Sequence, residues 1–206
     1  ARYKTRLTGD KFNEEETLEL WRKAGNADGL YYIYFTKTML ATLFDNHAQA
    51  VEFAREADKY EQAVTGSLAA PFLTFYRTLS LIALAEGGQG QPAGAREIEA
   101  NRQKLALWAE QSPENFKHLH ELIEAELARQ AEDHGRAMDY YDRAVGSATA
   151  GGFTLYEGLS NELAARYYLN LHKSRFAVIY LEESRKAYVR GRASAKASEL
   201  ELRNQE

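Results

Sequence analysis

The stretch KLALWAEQSPENF, residues 104–116, places a tryptophan in a helical stripe, breaks, and restarts within a few residues. Ser112 has the hydroxyl of an N-cap residue, and Pro113 suits the first helical position, where its missing N–H has no partner to lose. Glu114 then favours the positive helix start. The stretch therefore predicts a helix-to-helix turn, with Trp108 buried where it closes one hairpin and Ser112-Pro113 opening the next. Whether such turns recur decides the fold.

They do recur. The chain has only 3 prolines, and its glycines gather between apolar periodic stretches, so helices should dominate. Asn13 followed by Glu16 resembles a capping box, and Leu18, Leu20 and Trp21 supply apolar positions until Gly25 ends the first helix. Further helices are expected over 29–44, 47–63, 68–86, 94–111, 113–131, 134–149, 153–170 and 172–191. No stretch alternates apolar and polar residues well enough to predict a strand.

Small residues mark a period through these helices. Thr38, Ser80, Ala125 and Ala165 stand 42, 45 and 40 residues apart, and Ala50, Ala137 and Ala177 sit early in the partner helices, each ahead of Phe53, Tyr141 or Leu181. Small side chains let two helices approach closely at their crossing. The expected fold is thus all-α, an α-solenoid of stacked antiparallel helical hairpins, tetratricopeptide-like. Residues 1–28 would form an N-terminal helix leading into the array, 29–191 about four hairpins, and 192–206 a helical extension or linker. The glycine-rich connector EGGQGQPAG, residues 86–94, reads as an insertion at a loop.

Composition narrows the function. Twenty-six Lys and Arg against thirty Asp and Glu leave a formal charge of −4, which argues against a general electrostatic grip on nucleic acid. The tyrosines of LYYIYF (30–35) and DYYDRA (139–144) offer stacking surfaces, but nucleic-acid binding would need interleaved bases where these stretches carry Asp139 and Asp142, so they read as hairpin filling. The absence of cysteine removes disulfides and thiolate metal sites, with the cytoplasm as the simplest setting. No apolar run approaches the roughly 18 residues of a membrane span. The chain begins without methionine and ends inside a charged helical pattern, which predicts a segment of a longer polypeptide.

Four segments go beyond periodicity: NRQKLALWAEQSPENFKHLHELIEAELAR (101–129), AMDYYDRAV (137–145), NELAARYYL (161–169) and YLEESRKAY (180–188). Together they resemble the helical-repeat region of very large bacterial signalling proteins, over roughly residues 30–195. In that family a serine/threonine kinase-like domain is followed by an AAA-type ATPase, a tetratricopeptide-like region, a GAF sensor and a histidine kinase. The resemblance implies a noncatalytic regulatory domain coupling ATPase to sensor and histidine kinase. The alternative is a free-standing tetratricopeptide adaptor that binds a partner peptide. The sequence departs from the consensus unit of about 34 residues, since its period is nearer 42 and Thr, Ser or Ala replaces the glycine of the tight crossing.

Chemistry-bearing motifs are sparse. The connector has glycines but no Gly-Lys-Ser/Thr and follows a helix, so no nucleotide cofactor is expected. His118 and His120 point in different directions on one helix. His120 with Glu124 forms an i, i+4 pair without a third ligand, so an exposed polar face is expected and no metal. His47, His134 and His172 lie near turns, as caps or surface residues. No catalytic group and no small-molecule substrate are expected. Partner binding is what a helical array supplies, through protein or intramolecular domain contacts. Mapped by the tetratricopeptide pattern, its concave face would carry Arg77, Glu126, Arg129, Glu162 and Arg166, either as a surface for a charged segment or as an internal salt-bridge ladder.

Overall fold

A computed structural model describes residues 5–88 and 92–203. These residues form an all-α fold of antiparallel helical hairpins, tetratricopeptide-like in its packing of consecutive helices: α1 (Glu14–Ala24), α2 (Ala27–Leu43), α3 (His47–Asp58), α4 (Ala69–Glu86), α5 (Pro92–Gln111), α6 (Pro113–Gln130), α7 (His134–Ala150), α8 (Thr154–Asn170), α9 (Ser174–Arg190) and α10 (Ser194–Arg203). The chain divides at Asn101/Arg102 into two compact units.

In the second unit the four connectors that follow α6, α7, α8 and α9 are the same device, whereas α5 passes to α6 through Ser112 at φ −144°, outside the left-handed region. The residue leaving each helix adopts a left-handed conformation: Glu132 (φ 57°), Gly152 (73°), His172 (57°) and Arg192 (56°). These positions stand 20 residues apart. The next residue's amide then donates to a carbonyl five residues back, Asp133 to Ala128 (2.9 Å), Phe153 to Ala148 (2.9 Å), Lys173 to Tyr168 (2.8 Å) and Ala193 to Tyr188 (2.9 Å). This bond closes a helix C-terminus and reverses the chain within three residues. A 17-residue helix plus that turn gives a 40-residue hairpin, so the repeat here is tighter than the expected period near 42. The extension after Gly191 obeys the same rule: α10 packs on α9 and buries Ala197 and Leu200.

The first unit uses the device twice, at Gly25 (φ 65°), whose follower Asn26 donates to Trp21 at 3.0 Å, and at Asp45 (φ 58°), whose follower Asn46 donates to Ala41 at 2.8 Å. Its core gathers Tyr31, Tyr34, Ala57, Val64 and Leu73, with Leu18 of α1 packed on it. Gly29 lets the Trp21 ring lie against α2, since a Cβ there would meet the ring at 2.6 Å.

All seven small residues that marked the period, Thr38, Ser80, Ala125, Ala165, Ala50, Ala137 and Ala177, are completely buried. In the first unit their hydroxyls are satisfied locally, Thr38 donating to the Tyr34 carbonyl (2.8 Å) and Ser80 sharing a hydrogen bond with Thr42 (3.0 Å). Side-chain volumes interlock as well. Gly158 on α8 leaves room for the buried Tyr188 of α9, whose ring a Cβ would meet at 2.7 Å. Forty residues earlier the corresponding positions hold His118 and Ala148, both buried.

Several local expectations need correction. The helix expected over 47–63 stops at Asp58 and resumes as a 3₁₀ turn, Glu61–Val64. The break lets Tyr60 stack on Tyr34 and Val64 enter the core. A two-residue strand pair, Thr8–Gly9 with Phe12–Asn13, stands where no strand is predicted, being too short and exposed to carry a hydrophobic alternation. Asn13 caps α1 through its side chain, but its oxygen accepts from Glu15, and Glu16 answers the Asn13 amide group rather than the backbone. Ser112 makes no side-chain cap, although Pro113 opens α6 as expected. Trp108 is half-buried, and the fully buried residue of that stripe is Leu105. Of the 86–94 connector, residues 89–91 lie outside the described residues.

Gly158→Ala tests the interlock. A helix interior ordinarily gains from this change, but the Tyr188 ring has nowhere to go, so a net loss of about 1–3 kcal/mol is expected in urea denaturation.

Candidate functional site

The second unit buries five carboxylates, Glu121, Glu124, Glu126, Glu157 and Glu162, and their partners are side chains of other helices or of an adjacent turn of the same helix. Glu121 accepts from Arg143 Nε (3.0 Å) and the Ser147 hydroxyl (2.6 Å). Glu124 is held by Arg102 and flanked by His120 at 3.4 Å and Arg136 at 3.5 Å. Glu126 accepts from the Tyr141 hydroxyl (2.5 Å) and Arg129 (2.8 Å). Glu157 pairs with Arg190 at 2.6 Å. Glu162 gathers Arg166 (2.5 Å), the Tyr188 hydroxyl (2.7 Å) and Lys196 of α10 (2.9 Å). A buried carboxylate is tolerable only when its lone pairs are answered this fully.

The residues mapped to a concave face all have partners within the chain. Glu126 and Glu162 are buried ladder members, and Arg129 and Arg166 reach back to them over one helical turn, leaving the Arg166 side chain one third exposed. In the first unit Arg77 is also turned inward: it donates to the Ala54 carbonyl at 2.9 Å and pairs with Asp58 and, at 3.4 Å, Glu97. Sequence reasoning missed Glu121 and Lys196 altogether. For Lys196 the one signal lies in the helix it bonds to, α8, which is buried nearly all round from Glu157 to Tyr168, Glu162 included.

Histidines follow the repeat. His47 opens α3 and meets Ser80 of α4 at 3.3 Å, while His134 opens α7 and meets the Tyr167 hydroxyl of α8 at 3.2 Å, each 33 residues further along the chain. Both tie a hairpin to the helix that follows it. His118 departs from the exposed polar face expected for it: it is buried, stacked on Phe153 with centroids 4.3 Å apart, and its Nε2 lacks a partner. Burial lowers its pKa from the ordinary 6.5 to about 4. Glu124 moves to about 2; burial opposes that shift, and the hydrogen bonds from His120 and Arg102 outweigh it. Burial and the Glu126 carboxylate push the Tyr141 phenol well above its usual range. These groups hold their protonation states for structure, and none is poised to exchange a proton near neutral pH.

Among the described residues, no group of three or more His, Cys, Asp or Glu is placed to hold a metal ion, and no helix is long and apolar enough to cross a membrane. The surface feature that stands out in the second unit is apolar: Phe176, Val178 and Ile179 of α9, with Leu169 at the end of α8, are exposed. At the corresponding positions of α7, 40 residues earlier, stand Arg136, Met138 and Asp139. No family model matches the chain, and no curated protein or solved structure matches it.

Two outcomes check this description. Glu162→Ala strips one acceptor from three donors and should cost about 3–5 kcal/mol in chemical denaturation; a loss near that of an exposed ion pair, below about 1 kcal/mol, would remove the carboxylate from the core. The depressed pKa of His118 means that the folded state prefers it neutral. Its contribution is complete above pH 6.5 and declines as pH falls towards 4, on the order of 2–3 kcal/mol over that window, and Glu124 adds a further loss only between about pH 4.5 and 2. Urea midpoints measured from pH 7 to 4 should fall more steeply for the native chain than for His118→Phe.

Proposed function

We propose that this chain is a noncatalytic helical-repeat domain of a multidomain bacterial signal-transduction kinase, joining an ATPase module to sensor and histidine kinase domains in the cytoplasm. The reading rests on the resemblance of residues 101–129, 137–145, 161–169 and 180–188 to that region of such proteins. The observation that carries the noncatalytic part is the use of the acidic side chains. The five buried carboxylates of the second unit are taken up by Arg, Lys, His, Ser and Tyr partners within the hairpins.

The work of such a domain is mechanical and recognitive. Rigid hairpins set a distance and a surface, and neighbouring domains or proteins read that surface. The exposed apolar residues Phe176, Val178 and Ile179, opposite a core otherwise well covered, mark where contact with another folded element is most favourable.

The parent polypeptide provides the test. In extracts of the source cells, antibodies raised against this chain should detect a band far above 23.3 kDa, and the immunoprecipitated protein should incorporate phosphate on histidine from ATP. A band near 23.3 kDa would sink the kinase reading and leave a free-standing adaptor. ATP hydrolysis by the purified chain itself would overturn the noncatalytic part.

A further inference from the structure

The outward stripe of α9 matches its own reverse. Ile179, Glu182, Lys186 and Val189 are all exposed and stand 3, 4 and 3 residues apart, the spacing of a seam between two helices. Read backwards, the series keeps its two apolar ends and exchanges its acid for its base. The other side of the helix is turned into the array, where Ala177, Ser184, Ala187 and Tyr188 are buried.

Stacking of hairpins does not account for this stripe. On α7, 40 residues earlier, the same four positions hold Asp139, Asp142, Gly146 and Thr149. They are exposed as well, although α9 lies against α7 with the Tyr180 hydroxyl bonded to Asp142. A following hairpin therefore leaves these positions uncovered. Val178 is different, since its counterpart Met138 is half-buried and stacking alone would cover it. Ile179 and Val189, 62% and 55% exposed, have no such place to go within the array.

Self-complementarity names the occupant. We propose that the outward face of α9 is a homodimer surface, on which two copies of this chain pair antiparallel about a two-fold axis at the level of Ser184. Ile179 then meets Val189 of the second copy and Glu182 meets its Lys186, each contact occurring twice. Within one copy Lys186 already pairs with Glu182 at 3.2 Å, and the contacts across the axis extend that pair. Glu183 and Arg185 flank the seam with partners of their own, Lys186 at 2.9 Å and Glu201 at 3.7 Å. Exposed charge pairs add little affinity but fix orientation: parallel helices would set Glu182 on Glu182 and Lys186 on Lys186. A partner of another sequence would need a complementary stripe, but this one would not then need to match its own reverse. The 17-residue helix is only about 25 Å long, so the dimer is weak, with a dissociation constant on the order of tens of micromolar. Such a dimer rests on the reading of α9 as a contact surface given above, and not on the kinase context.

Sedimentation equilibrium of the full chain over about 1–200 µM should show a reversible rise from 23.3 kDa towards twice that mass. Glu182→Lys and Lys186→Glu each place like charges opposite one another, and each alone should weaken association at least about tenfold. Mixed in equal amounts, the two variants should recover it, because every lysine of the seam then faces a glutamate. Ile179→Asp, which installs the side chain that α7 carries at that position, should abolish it. Urea midpoints of the dilute samples check that each variant is folded, and Val189→Asp replaces Ile179→Asp if that one is not. A 23.3 kDa monomer throughout the range would overturn the proposal. Association that survives the aspartate variant, or that the mixture fails to restore, would do the same. A large parent polypeptide with a monomeric chain sinks the dimer alone, whereas a parent of 23.3 kDa with a dimeric chain sinks the kinase reading alone.

Discussion

From α6 onward the second unit depends on a three-residue reversal closed by one hydrogen bond between an amide and a carbonyl five residues back. The reversal needs a left-handed residue, which for Glu132, His172 and Arg192 costs on the order of 1–2 kcal/mol each, and the capped helix end offsets that cost. Because each turn has the same length, each helix re-enters the layer at the same phase. Buried positions then recur every 20 residues: Ala128, Ala148, Tyr168 and Tyr188 all supply the carbonyl that closes a turn, and all are buried. A single added residue in any connector would rotate the following helix by roughly 100° and carry its charged ladder to the wrong side.

With phase fixed, the interior can hold charge. Buried carboxylates are unfavourable unless their partners arrive at fixed positions, and here the partners come from the helix before, the helix after, two helices on, or one turn along the same helix. Phenols do much of this work. Tyr141 and Tyr188 each fill a hairpin with an apolar ring while presenting a hydroxyl to Glu126 or Glu162. The tyrosine-rich composition is thus tied to the acidic interior, since a phenol is both a packing group and a donor.

The hairpin architecture was legible in the sequence because it rests on local signals. Gly25 as a left-handed cap, Pro113 at a helix start and the buried alanines at 125, 137, 165 and 177 are all features that a single position can reveal. The sharper 20-residue spacing was obscured because three of its four left-handed positions are not glycine. The candidate face was harder still. Nothing in the residue type of Glu126 or Glu162 distinguishes a solvated acid from a buried one. The distinction lies in Tyr141, Tyr188 and Lys196, which lie 15, 26 and 34 residues away. Trp108 failed for a related reason: its size suggested the core, but Leu105, one turn earlier, takes the interior position.

The exchange of volume between His118 with Ala148 and Gly158 with Tyr188 bears on how such an array can change over time. In the α8–α9 hairpin the match is internal, Gly158 of the first helix making room for Tyr188 of the second, while the His118 ring packs on Phe153 and Tyr156 at the start of α8. Recombination that moved the whole α8–α9 hairpin would keep the Gly158–Tyr188 match. A crossover at the intervening turn would join Gly158 to Ala148 or His118 to Tyr188, leaving a void in one product and a collision in the other. The heritable module of this chain is accordingly the 40-residue hairpin, and its inner turn is the place where inherited breakpoints should be scarce.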